Sequence, residues 1–101
     1  MAINGIIETG SHFGTVNTFA TFSKTINFSS STVLATPWLQ GFSVNDDDGG
    51  VGLNVKSFKT SSGTTTGPFA PGVFASNCTS VTFNMSTNDC IVDAIFRVYF
   101  F

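Results

Sequence analysis

The sequence predicts an all-β domain, on three observations. The apolar residues are β-branched and aromatic: twelve Phe, nine Val and six Ile stand against three Leu, a set that suits pleated strands better than helices. Charge is scarce, at 10% of residues, while 42% are hydrophobic, so the chain is neither a disordered segment nor a charged helical bundle. Apolar and polar residues alternate along several stretches, the period of a strand with one buried face. With 101 residues there is room for one core, so 1–101 reads as a single domain. Two small sheets packed face to face would bury the alternating faces. A β-sandwich of five or six strands is the expected architecture.

The elements follow in order. From 22 to 28, Phe22, Ile26 and Phe28 face one side and Thr21, Ser23, Thr25 and Asn27 the other, with Lys24 interrupting the apolar face from an edge. Ser29–Thr32 reads as a turn. Pro37 holds Thr36 out of helical geometry and opens a strand in which Trp38, Gln40, Phe42 and Val44 share a side. Asn45-Asp46-Asp47-Asp48-Gly49-Gly50 closes it as an acidic turn. Val51, Leu53 and Val55 form the next apolar face, which reaches about Lys59. Thr60–Gly67 is small, polar and Gly-punctuated, and is expected to be a loop that Pro68 and Pro71 prolong. Val81, Phe83 and Met85 alternate with Thr82 and Asn84, and 84–89 reads as a second turn-rich cluster.

The last segment, 91–101, differs from the others. Val92, Ala94, Phe96, Val98 and Phe100 are uniformly apolar, and the opposite side, Ile91, Asp93, Ile95, Arg97, Tyr99 and Phe101, is largely so. Such a strand must be covered on both faces. Either it lies centrally in a two-sheet core or a second subunit supplies the other cover.

Four Lys and Arg against six Asp and Glu, a net charge of −2, cannot make the basic stripe that nucleic acid requires, nor an electrostatic membrane-surface binder. No apolar run approaches the roughly 18–20 residues of a membrane span. The start, Met1-Ala2-Ile3-Asn4-Gly5, lacks the marks of a secretory signal. The expectation is a cytoplasmic protein, or one released without a classical signal peptide, and an extracellular one if Met1 is not the natural start.

Cys78 and Cys90 are too few for a disulfide scaffold. They either form one bridge, should neighbouring strands place them suitably, or sit as two buried thiols. The catalytic inventory is thin. His12, the one histidine, sits in a Gly-flanked segment expected to be a solvated loop, and no nucleophile elbow, zinc spacing or phosphate loop is present. Asp46-Asp47-Asp48-Gly49 suggests a calcium loop, but the twelfth position from Asp46 is Ser57, where that loop carries Glu. No enzyme, cofactor or metal is expected. A sugar site needs less machinery: a few polar side chains that match paired hydroxyls, and an apolar surface for the ring. Trp38 could stack on a sugar, but its alternation with Phe42 and Val44 places it on the buried face.

Four stretches resemble the H-type lectin domain, the GalNAc/galactose-binding module of snail agglutinins and of the C-terminal part of discoidins. Ile7-Glu8-Thr9-Gly10 is similar to its opening strand, and Lys24-Thr25-Ile26-Asn27-Phe28 to its Lys-x-[IF]-x-F strand. The segment 37–46, ending at Asp46, resembles its Pro-x-Val strand. Gly52-Leu53-Asn54-Val55, with Thr64-Thr65-Thr66-Gly67-Pro68-Phe69, resembles its basic strand and Thr-x-Gly-Phe turn. The resemblance implies a six-stranded antiparallel sandwich that assembles as a homotrimer and binds glycans in clefts between protomers. It also implies a site at Asn17, Asp46, Asn54, Ser86 and Thr87. Where the family has Asp, Arg and an aromatic residue, this chain has Asn17, Asn54 and Ser86 with Thr87 beside it, so charge-assisted bonds and a ring platform are both missing there. The function expected is a non-enzymatic lectin that gains avidity by oligomerisation. The alternative is a structural or assembly module of a virion, fibre or surface array that binds no sugar.

Overall fold

The structure, a computed structural model, describes residues 2–44 and 50–101. The alternating stretches form four elements: β1 (Gly5–Val44), β2 (Gly50–Thr60), β3 (Gly63–Phe69) and β4 (Val73–Phe100). They make one antiparallel sheet in the order β1-β4-β2-β3. The expected all-β class holds.

β4 is the spine. Residues 5–15 of β1 pair with one edge of 90–100, and 19–27 with 80–88. The later part of β1 returns to the other edge of 90–100, with Val33 opposite Phe100 and Val44 opposite Cys90. β2 takes the other edge of 80–88 and carries β3 outside it as a hairpin.

Fully extended, the 28 residues of β4 would span roughly 90 Å at about 3.3 Å per residue. The molecule measures 43 Å along its longest axis, so β4 doubles back. The crease lies at Asp89 (φ 52°) and, on β1, at Asn17 (φ 63°), where the register slips between Thr15 and Phe19. The Asn17 backbone N–H donates to Asp89 Oδ1 across it, at 2.5 Å. Gly14 (φ 112°) makes the approach to this crease, since a Cβ there would sit 2.0 Å from the Cys90 carbonyl oxygen.

Two arms result. The hairpin arm holds 19–27, 80–88, β2 and β3; the C-terminal arm holds 5–15, 33–44 and 90–100. Val81, Phe83 and Met85 from one arm and Val92, Phe96 and Val98 from the other are buried between them. Phe83 stacks on Phe96, and Phe13 packs on both Phe22 and Phe96. The inward faces expected around 22–28, 51–55, 81–85 and 92–100 are the ones that build this core.

Several local expectations are corrected. Residues 29–32 and 84–88 run inside β1 and β4 rather than as turns, and of the cluster 84–89 only Asp89 reverses the chain. Pairing on both sides of 84–88, with 19–23 and with 50–54, overrides the turn preference of its Asn and Ser residues. Thr60–Gly67 is not a loop: only Ser61 and Ser62 turn, and Thr64, Thr65 and Thr66 pair with β2 as β-branched strand residues. His12 lies on a strand rather than in a loop, opposite Asp93. Of the two states left open for Cys78 and Cys90, the one that holds is a pair of buried free thiols.

Trp38 is the largest departure: its side faces out and is 54% exposed, while Val33, Ala35 and Pro37 face in. The register slips between Leu39 and Gly41. This bulge breaks the period of two just after Trp38, so alternation with the residues beyond it does not assign Trp38 to the buried face.

Candidate functional site: a polar cleft on the hairpin arm

The outward residues of the hairpin arm are small and polar. Ser23, Asn84 and Asn54 form one cross-strand row, and Thr21, Ser86 and Gly52 the next. Ser23 Oγ donates to Asn84 Oδ1 at 3.4 Å, and the Thr25 and Thr82 hydroxyls meet at 2.9 Å. At Gly52 a Cβ would fall 2.6 Å from Ser86 Oγ, so glycine leaves that hydroxyl its place.

The sheet opens beside these rows. On β2 the register slips between Val55 and Ser57, which leaves Lys56 as an extra residue; on β3 the same interval holds Gly67 and Pro68, joined by a cis peptide bond. Proline has no N–H to give the ladder, so the two strands part here. The outcome is an open cleft of about 550 Å³ lined by Thr21, Ser23, Asn54, Lys56, Thr66, Gly67, Pro68 and Asn84. Asn54 Oδ1 is buried in its wall with no hydrogen-bond partner. The described lining brings one cation, two carboxamides and three hydroxyls together, with no carboxylate and no aromatic ring. Such a set can exchange hydrogen bonds with several hydroxyls of one ligand.

The residues expected from sequence are only partly gathered here. Asn54 lines the cleft, and Ser86 sits in the adjoining outward row. Asn17 lies at the crease, its backbone tied to Asp89. Thr87 points into the core at 1% exposure, and its hydroxyl finds no partner there. Asp46 lies outside the described residues, as do Asp47 and Asp48. Sequence reading missed Thr21, Ser23 and Asn84, although it had assigned each to a polar face. It missed Lys56 and Thr66 because a bulge and a short strand placed them.

A second hollow of about 400 Å³ lies between Asn4, Phe28, the serines 29–31 and Phe100. Its wall is the edge-to-face pair Phe28–Phe100, 5.1 Å between centroids.

The outer face of the C-terminal arm has another chemistry. Ile6, Tyr99 and Leu34 form one row, Glu8, Arg97 and Thr36 the next, and Gly10, Ile95 and Trp38 the third. Arg97 lies over the Trp38 ring at 5.0 Å and donates from Nε to Glu8 at 2.6 Å. Hydrogen bonding to the Glu8 carboxylate is the largest cause that holds its guanidinium pKa above the ordinary value.

Compared with known proteins, the chain matches no family model, no curated protein and no solved structure.

Proposed function

We propose that the protein is a non-enzymatic carbohydrate-binding protein whose glycan site is the polar cleft of the hairpin arm. The observation that carries this is the convergence of Asn54, Asn84, Lys56, Thr21, Ser23 and Thr66 on one hollow. Paired amides and hydroxyls on a firm sheet suit the paired hydroxyls of a sugar, and a strand scaffold holds them better than a loop would. The resemblance to H-type lectins adds a GalNAc- or galactose-type ligand, a sandwich reading of the doubled sheet, and a homotrimer that turns weak sites into avid ones.

The test is a broad glycan array with the purified protein, repeated with Asn54→Ala and Asn84→Ala. Saturable binding to a related set of sugars is expected, weakened about tenfold by each variant while the fold is retained. A blank array from the folded protein overturns this reading. The aromatic outer face of the C-terminal arm favours a second one, the assembly module without sugar.

A further inference from the structure

The chain contains one Trp, one Tyr and one Arg, and all three sit together on the outer face of the C-terminal arm. Trp38 and Tyr99 occupy the rows on either side of Arg97, which stacks on Trp38 and pairs with Glu8. These are the residue types that dominate binding energy at protein interfaces. Around them lie Ile6 (55% exposed) and, on residues 73–75 paired to the outer edge of 33–35, Phe74 (51% exposed), with Leu34, Ile95 and Phe101 half-buried. The three lysines all belong to the hairpin arm, so this face has the lysine depletion typical of an interface centre.

We infer that this face is a self-association surface, covered in solution by a second copy of the same chain. Three features select that occupant. The face is three strand legs wide and about eleven residues long, roughly 500 Å² in plan. Side-chain relief brings this toward the ~800 Å² per partner of a stable interface. Its ionic groups are of both signs and engaged within the face: Glu8 pairs with Arg97, and Asp93 Oδ1 meets His12 Nδ1 at 2.5 Å. A face of mixed, internally engaged charges meets little long-range repulsion from its own copy and offers no single-sign patch for an acidic or basic partner to match. Finally, it lies on the arm opposite the polar cleft, so a face-to-face contact leaves every cleft open. The first two features belong to this face alone, and only the third rests on the sugar reading.

The test uses Trp38, the sole tryptophan, as its own reporter. Mass by light scattering and tryptophan emission are followed from about 1 µM to about 100 µM, which reaches the weak, micromolar end of standard interfaces. A mass at least double the 10.7 kDa monomer is expected, with emission moving to shorter wavelength as the ring is covered. Trp38→Lys and Ile6→Lys, both at exposed positions that should leave the circular dichroism unchanged, are each expected to weaken association at least about thirtyfold. Thr25→Lys, on the outer face of the other arm, is expected to leave it intact. A protein that stays monomeric throughout overturns the inference, as does assembly that both face variants leave unchanged. A monomer that binds polysaccharide through Trp38 also overturns it, and reassigns the face to sugar stacking. None of these outcomes depends on the glycan array.

Discussion

Phe83 stacks on Phe96 at 4.9 Å between ring centroids and 24° between planes, although the two lie on opposite arms of one strand. Both are essentially fully buried. Their contact exists only because β4 doubles back at Asp89, so it measures the fold-back itself.

Truncation of either ring should therefore be costly. Phe83→Ala and Phe96→Ala are each expected to destabilise by about 3–5 kcal/mol. The double variant should fall short of additivity by about 0.5–1.5 kcal/mol, the worth of an aromatic pair beyond its area. Urea unfolding of all four proteins measures this, and strict additivity would show that the rings are not coupled.

How far the sequence could foresee this fold depends on what alternation can express. Val81, Phe83 and Met85, or Val92, Phe96 and Val98, announce their buried side because a sheet enforces a period of two. Alternation says nothing about where a strand creases or slips. Asp89 and Asn17 look like ordinary turn residues, and only the tertiary fold makes them the hinge of two continuous strands. One extra residue near Gln40 breaks the period that would turn Trp38 inward, and Trp38 follows the alternation of Val33, Ala35 and Pro37 instead. The polar cleft was half legible for the same reason. Thr21, Ser23 and Asn84 stood on polar faces, but only the register brings them beside Asn54.

The crease also gives Gly14 a fixed role. Its φ of 112° and the 2.0 Å separation that a Cβ would have from the Cys90 carbonyl oxygen leave no room for a side chain. Gly14→Ala is expected to cost at least ~2 kcal/mol, which lowers Tm by roughly 10 °C in a domain of this size. An unchanged melting curve would count against the crease geometry.

Thr87 points the other way. Its buried hydroxyl has no partner, and an unpaired buried hydroxyl is a net cost. Thr87→Val keeps the shape and removes the polar group, so a gain of roughly 1 kcal/mol is expected in urea unfolding. A clear loss would mean the hydroxyl is hydrogen-bonded after all.

Burial, the largest cause, raises the pKa of Cys78 above the ordinary thiol value of 9.0. Above that value the unfolded chain gives up the proton while the folded chain keeps it, so stability should fall as pH rises past about 9. The loss of stability between about pH 7.5 and pH 10 should be smaller in Cys78→Ala than in the parent. Equal losses in the two proteins would refute the assignment.

Gly67 tests the cleft. A Cβ there would meet the Phe69 backbone nitrogen at 2.5 Å and its ring at 2.7 Å, so Gly67→Ala must displace the wall that holds Thr66 and Pro68. Glycan binding should drop at least about tenfold while the Phe83–Phe96 core and the bulk of the stability persist. Retained affinity would place the site elsewhere.

The central place of β4 also has a consequence for biosynthesis. β1 and β2 both bond to β4, and β4 is translated after them. At about 5–20 residues per second, the Gly5 end of β1 waits roughly five to twenty seconds for Phe100, its register partner. During that interval Ile7, Phe13, Phe22 and Ile26 have no sheet to cover them. Nascent β1 is therefore the segment that most needs a chaperone's shelter, and folding waits for the last strand to leave the ribosome.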